Sequence, residues 1–247
     1  MDATGTLHFD HVTKSFDAGP PVIARLDLHL SPGAFMSVVG PSGCGKTTML
    51  RLASGLAEPT GGAVLVDTDK IAYVFQDPAL LAWRTALKNV ELSGELHHTG
   101  KAERRRRATE ALALVGMAGF EGYRPSQLSG GMRMRVSLAR ALMVDPRIFL
   151  FDEPLGALDE ITRLRMQEEL QSLFLSQSFT GLYVTHSISE AVFLSTQVAV
   201  MSAGPGRIIR EIAVPLPFPR RPEIRFQKEF SRICAEVSQA LAEGSRP

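Results

Sequence analysis

The sequence predicts an α/β fold built on a mainly parallel sheet. Three observations carry that expectation. Short strand patterns alternate with helical ones along the chain. Residues 34–39 and 148–151 are almost uninterrupted apolar runs, as strands covered on both faces are. Between the first of these strands and a helical pattern lies a glycine-rich loop, Gly40-Pro41-Ser42-Gly43-Cys44-Gly45-Lys46-Thr47.

Each element has its own warrant. Residues 7–12 read as a strand with Leu7, Phe9 and His11 on one side. Ser31-Pro32-Gly33 is a turn, and the apolar strand 34–39 follows it. Residues 47–56 read as a helix, with Met49, Leu52, Ala53 and Leu56 at helical spacing and Gly55 near the end. Two further strands are expected at 64–66 and 71–74. From 87 to 119 the pattern turns charged and helical, with Ala108, Ala111, Leu112, Val115 and Met117 near one face. The stretch from Trp83 to about Ser129 is therefore read as a mostly helical insertion. Ser129 is placed to cap a further helix carrying Val136, Ala139 and Met143 on one face, stopped by Pro146. Strands follow at 148–151, 182–184 and 198–201. Residues 208–214 suit an edge strand ended by Pro215 and Pro217. The tail 219–247 reads as a linker and one helix with Phe230, Ile233, Val237 and Leu241 inward.

Composition narrows the class. A chain of 247 residues suits one large α/β domain or two tightly joined ones. The net charge of +1 supplies no basic field for nucleic acid. The one basic run, Arg104 to Arg107 after Lys101, reads as a solvated helix face. The cysteines, Cys44 and Cys234, do not suggest a structural disulfide, and a reducing compartment fits. No apolar run approaches the ~20 residues that cross a bilayer. Residues 1–6 lack the basic start and apolar stretch of a signal peptide. The chain is expected to be soluble, with any membrane role exerted through a partner.

The glycine-rich loop has the form of a phosphate-binding P-loop. Gly40, Gly43 and Gly45 let the backbone approach phosphate oxygens and aim its N–H groups at them. The helix that follows adds its positive N-terminal end. Lys46 reaches the β- and γ-phosphates, and Thr47 can ligate Mg²⁺. A chance glycine-rich loop would not sit between a buried strand and a helix. At the end of the strand 148–151 stand Asp152 and Glu153. Asp152 suits a Mg²⁺ ligand, and Glu153 a base that orients and deprotonates water. Such acidic pairs also occur at helix N-termini, so the P-loop upstream gives this pair its weight. Gln76 and His186 each follow a strand end, the edge where α/β sheets bind ligands. In isolation they are a polar loop residue and a surface histidine. Phe16 reads equally as a core aromatic or as a platform for a purine ring.

With these residues assembled, the chain resembles the ATPase subunit of an ABC transporter over nearly its whole length. Phe16 is similar to the A-loop aromatic, Gly40 to Thr48 to the Walker A motif, and Gln76 to the Q-loop glutamine. Leu128-Ser129-Gly130-Gly131-Met132 resembles the family signature. Asp152 and Glu153 resemble Walker B, Leu155-Gly156-Ala157-Leu158-Asp159 the D-loop, and His186 the switch histidine. The resemblance implies a P-loop NTPase (RecA-like) core with a small antiparallel β arm and a helical subdomain. It implies one domain over 1–247, with a core of 1–82 and 140–214, a helical subdomain of 83–139 and a tail helix within 219–247. It also implies ATP and Mg²⁺ (held by Thr47, Gln76 and Asp152) and a head-to-tail dimer. In that dimer Ser129 and Gly131 of one chain meet the ATP of the other. The implied partners are a second ATPase subunit (an identical chain or a similar cassette), membrane permease subunits and, indirectly, an extracytoplasmic solute-binding protein, with no nucleic acid. The implied place is the cytoplasmic face of the cell (inner) membrane.

A finer likeness to importers of nitrate, sulfonate and taurine rests on residues 75–85, Ser187-Ile188-Ser189-Glu190-Ala191, residues 201–208 and the proline-rich stretch 216–222. Three departures stand out. Met132 and Met134 replace residues that are usually polar, and 61–71 is short, which trims the expected β arm. The rival class is a soluble ABC ATPase acting on DNA or ribosomes. Those carry a long coiled coil or two cassettes, and this chain carries neither. A P-loop kinase or GTPase has no use for the signature. A binding-only cassette has no use for Glu153 and His186.

Overall fold

Two sheets carry the core in the computed structural model of the chain, which describes residues 5–17 and 19–244. Residues 1–4, part of the segment read as carrying no leader, lie outside the described residues. So do Ala18 and residues 245–247. The smaller sheet is antiparallel, in the order β2 (Ile23–Leu30), β1 (Leu7–Lys14), β4 (Gly61–Val66). It is the β arm, and its short third segment still pairs along β1 from Leu7↔Val66 to Thr13↔Gly61. The reading of His11 needs correction. The β1–β2 register shifts between Phe9 and Val12, His11 takes φ 49, and Val12 rather than His11 returns to the core. An extra residue at a bulge reverses the alternation beyond it.

The larger sheet has six strands. Its order is β5 (Ile71–Val74), β6 (Ile148–Asp152), β7 (Thr180–Thr185), β3 (Phe35–Val39), β8 (Gln197–Met201) and β9 (Ile208–Ala213). Every pairing is parallel except β8–β9, so β9 is the antiparallel edge that its flanking prolines suggest. All residues of β3, β6 and β7 are buried, because the sheet is covered on both sides. Met36, Val38, Leu150, Leu182 and Val184 face the β arm and α1 (Lys46–Ala53). Phe35, Phe149, Phe151 and Tyr183 face the other helices.

Helix α1 ends before Leu56, which is exposed; Gly55 at φ 72 turns the chain. The insertion forms α2 (Ala86–Leu96) and α3 (Lys101–Leu114), with Ala108, Ala111, Leu112, Val115 and Met117 buried as expected, and α4 (Gly130–Leu142) follows it. Helix α4 ends at Leu142, before Pro146. Half of the basic run is not a solvated face. Arg104 packs beside Glu95 and donates to the Thr99 carbonyl, and Arg107 donates to the Met143 carbonyl; Arg106 stays outside with Glu103 and Glu110. Two helices went unread in the sequence: α5 (Glu160–Gln177) and α6 (Ile188–Leu194). The tail forms α7 (Lys228–Gly244), which buries Phe230, Ile233 and Val237. Among the described residues no helix is long and apolar enough to cross a membrane.

Candidate functional site

Adjacent parallel strands β5, β6, β7 and β3 deliver the motif residues to one edge of the sheet. Gln76 follows β5, Asp152 and Glu153 end β6, His186 follows β7, and the glycine-rich loop follows β3. Residues scattered over more than a hundred positions thus meet because successive parallel strands present the same end.

The loop is shaped by close approach. A Cβ on Gly40 would lie 2.8 Å from Cys44 Sγ and 3.0 Å from the Met201 carbonyl oxygen. Gly45 takes φ 104 at the N-cap of α1, where Ile23 leaves no room for a side chain either. No side chain caps α1 and no acidic residue occupies its first turn, so the loop side of that helix end presents bare N–H donors. Lys46 is buried, and its Nζ donates to the carbonyls of Gly40 at 2.8 Å and Pro41 at 2.9 Å. Cys44 packs into the core beneath the loop, and burial pushes its thiol pKa up.

The carboxylates sit opposite. Thr47 Oγ1 donates to Asp152 Oδ1 at 3.0 Å, and the Tyr73 hydroxyl donates to Asp152 Oδ2 at 2.9 Å. Burial, and then the charge of Asp152, push the Tyr73 phenol well above its usual pKa. Glu153 turns out of the strand at φ 46, with its N–H on the Val184 carbonyl. Its Oε2 lies 3.1 Å from His186 Nδ1. Gln76 is exposed, and its amide stands 3.7 Å from where a Cβ on Gly156 would be. Thr47, Asp152 and Gln76 offer only oxygen as ligand atoms here, which is the donor set of Mg²⁺. Phe16 is 48% exposed with Lys14 Nζ over its ring at 5.0 Å, so it is not a core aromatic.

The signature lies elsewhere on the chain. Ser129 caps α4, its Oγ accepting from the Met132 N–H at 3.3 Å. A Cβ on Gly131 would lie 2.7 Å from Thr162, and one on Gly130 3.4 Å from Leu158. The motif therefore packs against the start of α5. Among the described residues no hydrogen bond joins 128–132 to 40–48. Leu128 is buried, and Met134 is buried in the core, so the lost polarity at 134 is compensated by packing. Asp159 caps α5 by accepting from the Thr162 N–H at 3.0 Å, a bond that holds its pKa below the usual range.

Several positioning residues escaped the sequence reading. Arg163 holds the 155–159 turn by donating to the carbonyls of Leu155 and Leu158. Arg140, on the signature helix, donates to the carbonyls of Pro78 and Ala79, just beyond Gln76. Buried Asn89 accepts from the Leu81 N–H and donates to the carbonyls of Leu81, Arg84 and Thr85. Tyr73 carried one signal, its alternate position on the strand that leads to Gln76.

A phosphate-cradling loop, a buried carboxylate beside its threonine, and a carboxylate–imidazole pair on one sheet edge define a P-loop nucleotide-binding protein. Comparison narrows the class. The family model described as ABC transporter matches residues 23–156. The aliphatic sulfonates import ATP-binding protein of Rhodopseudomonas palustris (strain BisA53) is 42% identical, over 97% of this chain and 84% of that protein. The nitrate import ATP-binding protein of Synechococcus elongatus is 42% identical over 96% and 91%. The taurine import ATP-binding protein of Yersinia pestis bv. Antiqua is 42% identical over 79% and 80%. Among solved structures, a dimeric post-hydrolysis ATP-binding cassette bound to ADP and Pi superposes with a TM-score of 0.74. It is 33% identical, over 85% of this chain and all of that one. The chain belongs to the ABC transporter family, as an ATP-binding subunit of the branch that holds these nitrate, sulfonate and taurine relatives.

Proposed function

We propose that the chain is the ATP-hydrolysing subunit of an importer. It powers uptake of a small solute of the sulfonate, nitrate or taurine class through a separate membrane permease. The observation that carries this reading is the convergence of Gly40–Thr48, Gln76, Asp152, Glu153 and His186 on one sheet edge. ATP is the substrate, with Phe16 stacking its base and the loop and Lys46 taking its phosphates. Mg²⁺, held by Thr47, Asp152 and Gln76, would supply neutralisation of phosphate charge. Glu153 takes the proton of the attacking water, and His186 holds its carboxylate and the γ-phosphate in line.

Two copies close head to tail, so that Ser129 and Gly131 of one complete the site of the other. The ADP-bound dimeric relative supports this arrangement. The 83–139 helices form a subdomain that moves on closure. The exposed Trp83, Phe75 and the cleft of about 640 Å³ between Gln76, Leu80 and Arg133 offer the permease its contact. The working place is the cytoplasmic face of the cell (inner) membrane, with the solute-binding protein engaged only through the permease.

The test is capture of tagged chain carrying Glu153→Gln with ATP. Loss of a general base removes ~10²–10⁴ of the rate while shape and binding persist. The variant should bind ATP, stay dimeric and bring down membrane subunits. Near-normal turnover would refute the role of Glu153, and recovery with ribosomes or DNA instead of membrane subunits would refute the importer reading.

A further inference from the structure

We infer that Tyr73 is a positioning residue for the metal-holding carboxylate: its hydroxyl fixes Asp152 so that the opposite oxygen faces Thr47. This rests on the proposed reading of Thr47 and Asp152 as Mg²⁺ ligands and deepens it. The placement follows from register. Tyr73 pairs with Leu150 across the parallel β5–β6 ladder. Asp152 stands two residues beyond Leu150, on the same face, as the diagonal neighbour within reach of a long side chain. The phenol spans that diagonal and donates to Oδ2 at 2.9 Å, while Thr47 Oγ1 donates to Oδ1 at 3.0 Å. The two oxygens of one carboxylate are thereby assigned to different partners.

The ring is itself held. It stacks on Phe75, with centroids 4.2 Å apart and planes at 25°, and packs against the core beneath α1. A fixed ring makes a fixed donor, and a fixed donor stops Asp152 from rotating about its last bond. A half-buried phenol needing only a partner could have used a backbone carbonyl or water. This one reaches the acidic side chain that accepts from Thr47. Groups bonded to a metal-holding side chain orient it, and their loss commonly lowers metal affinity 10–100-fold.

Tyr73→Phe removes the hydroxyl and keeps the ring and its stack. In a Glu153→Gln background, so that ATP is not consumed, ATP affinity is measured for both chains in excess EDTA and in excess Mg²⁺. The ratio of the two affinities is the coupling between metal and nucleotide. With Tyr73→Phe the EDTA affinity should stay within about twofold and the Mg²⁺ enhancement should fall by roughly tenfold. Direct Mn²⁺ titration of the protein–ATP complex, followed by electron paramagnetic resonance, should show the same weakening. An unchanged Mg²⁺ enhancement overturns the inference. So does an equal loss in EDTA and Mg²⁺, which would make Tyr73 a support of the loop as a whole. If the parent chain binds no ATP, or gains nothing from Mg²⁺, the underlying reading of the site fails, and that failure is visible without the variant.

Discussion

Replacing Arg220 with methionine should unfold the protein far more readily, although Arg220 lies outside every nucleotide motif. Its side chain is 3% exposed. Nη1 donates to the carbonyls of Val192 at 2.7 Å, Phe193 at 3.0 Å and Ser195 at 2.8 Å, at the end of α6. Nη2 and Nε take the carbonyls of Leu216 and Val214, and the guanidinium lies 4.0 Å over the Phe218 ring. Burial lowers its pKa to about 10, which leaves it charged at neutral pH. Methionine fills similar volume but donates nothing, so the α6 carbonyls lose their partner inside the core. An unsatisfied buried acceptor costs about 1–3 kcal/mol. Three of them at about 1.5 kcal/mol each give a loss of about 4–5 kcal/mol, a large part of the ~5–15 kcal/mol that stabilises a domain. At about 2–4 °C per kcal/mol for a chain of this size, the melting temperature should fall by roughly 8–20 °C. Arg220→Lys should recover only part of that, because an ammonium cannot reproduce the planar fork. Thermal melts followed by circular dichroism decide it. A fall of less than about 3 °C for Arg220→Met would mean that the carbonyls are satisfied without the arginine.

Two further outcomes test the site. Lys46→Ala removes charge-assisted bonds worth roughly 1.5–3 kcal/mol each, so Mg-ATP affinity should fall about ten- to a hundredfold; an unchanged binding titration would count against the phosphate role of the loop. Ser129→Arg should block the signature face and leave ATP binding intact. Mixing it with Lys46→Ala in the assembled complex should restore part of the ATPase activity, because one site then joins two undamaged faces; full activity of Ser129→Arg as an isolated monomer would mean a site complete within one chain.

What was legible in the sequence was local. A glycine-rich loop states its backbone requirement within eight consecutive residues, and the buried strands 35–39 and 148–152 announce themselves by composition alone. The edge on which Gln76, Glu153 and His186 meet followed from the rule that parallel strands share an end. What failed was phase and partnership. His11 was misplaced because nothing in the local pattern marks the bulge that carries it outward. Helix α5 hid because its inward face includes Gln167 and Gln171, which break the apolar period. Those glutamines are inward because they have buried partners: Gln167 bonds Glu190 and Arg225, and Gln171 bonds the backbone of Arg220. Glu190 in turn accepts from the Tyr183 hydroxyl at 2.6 Å, one turn along α6 from its Ser187 cap and next to His186.

The same network explains why the tail matters to the site. Arg225 lies 3.6 Å over the Phe193 ring, and Arg220 holds the same C-terminal end of α6 by its carbonyls. Helix α6 therefore cannot shift without breaking contacts to the tail, to α5 and to β7, and His186 immediately precedes its Ser187 cap. Carbonyl partners have no sequence signature, since every residue supplies one. An arginine whose hydrogen-bond acceptors are all main-chain oxygens is thus invisible to motif reading, yet it anchors the far end of the helix that follows a residue motif reading finds at once.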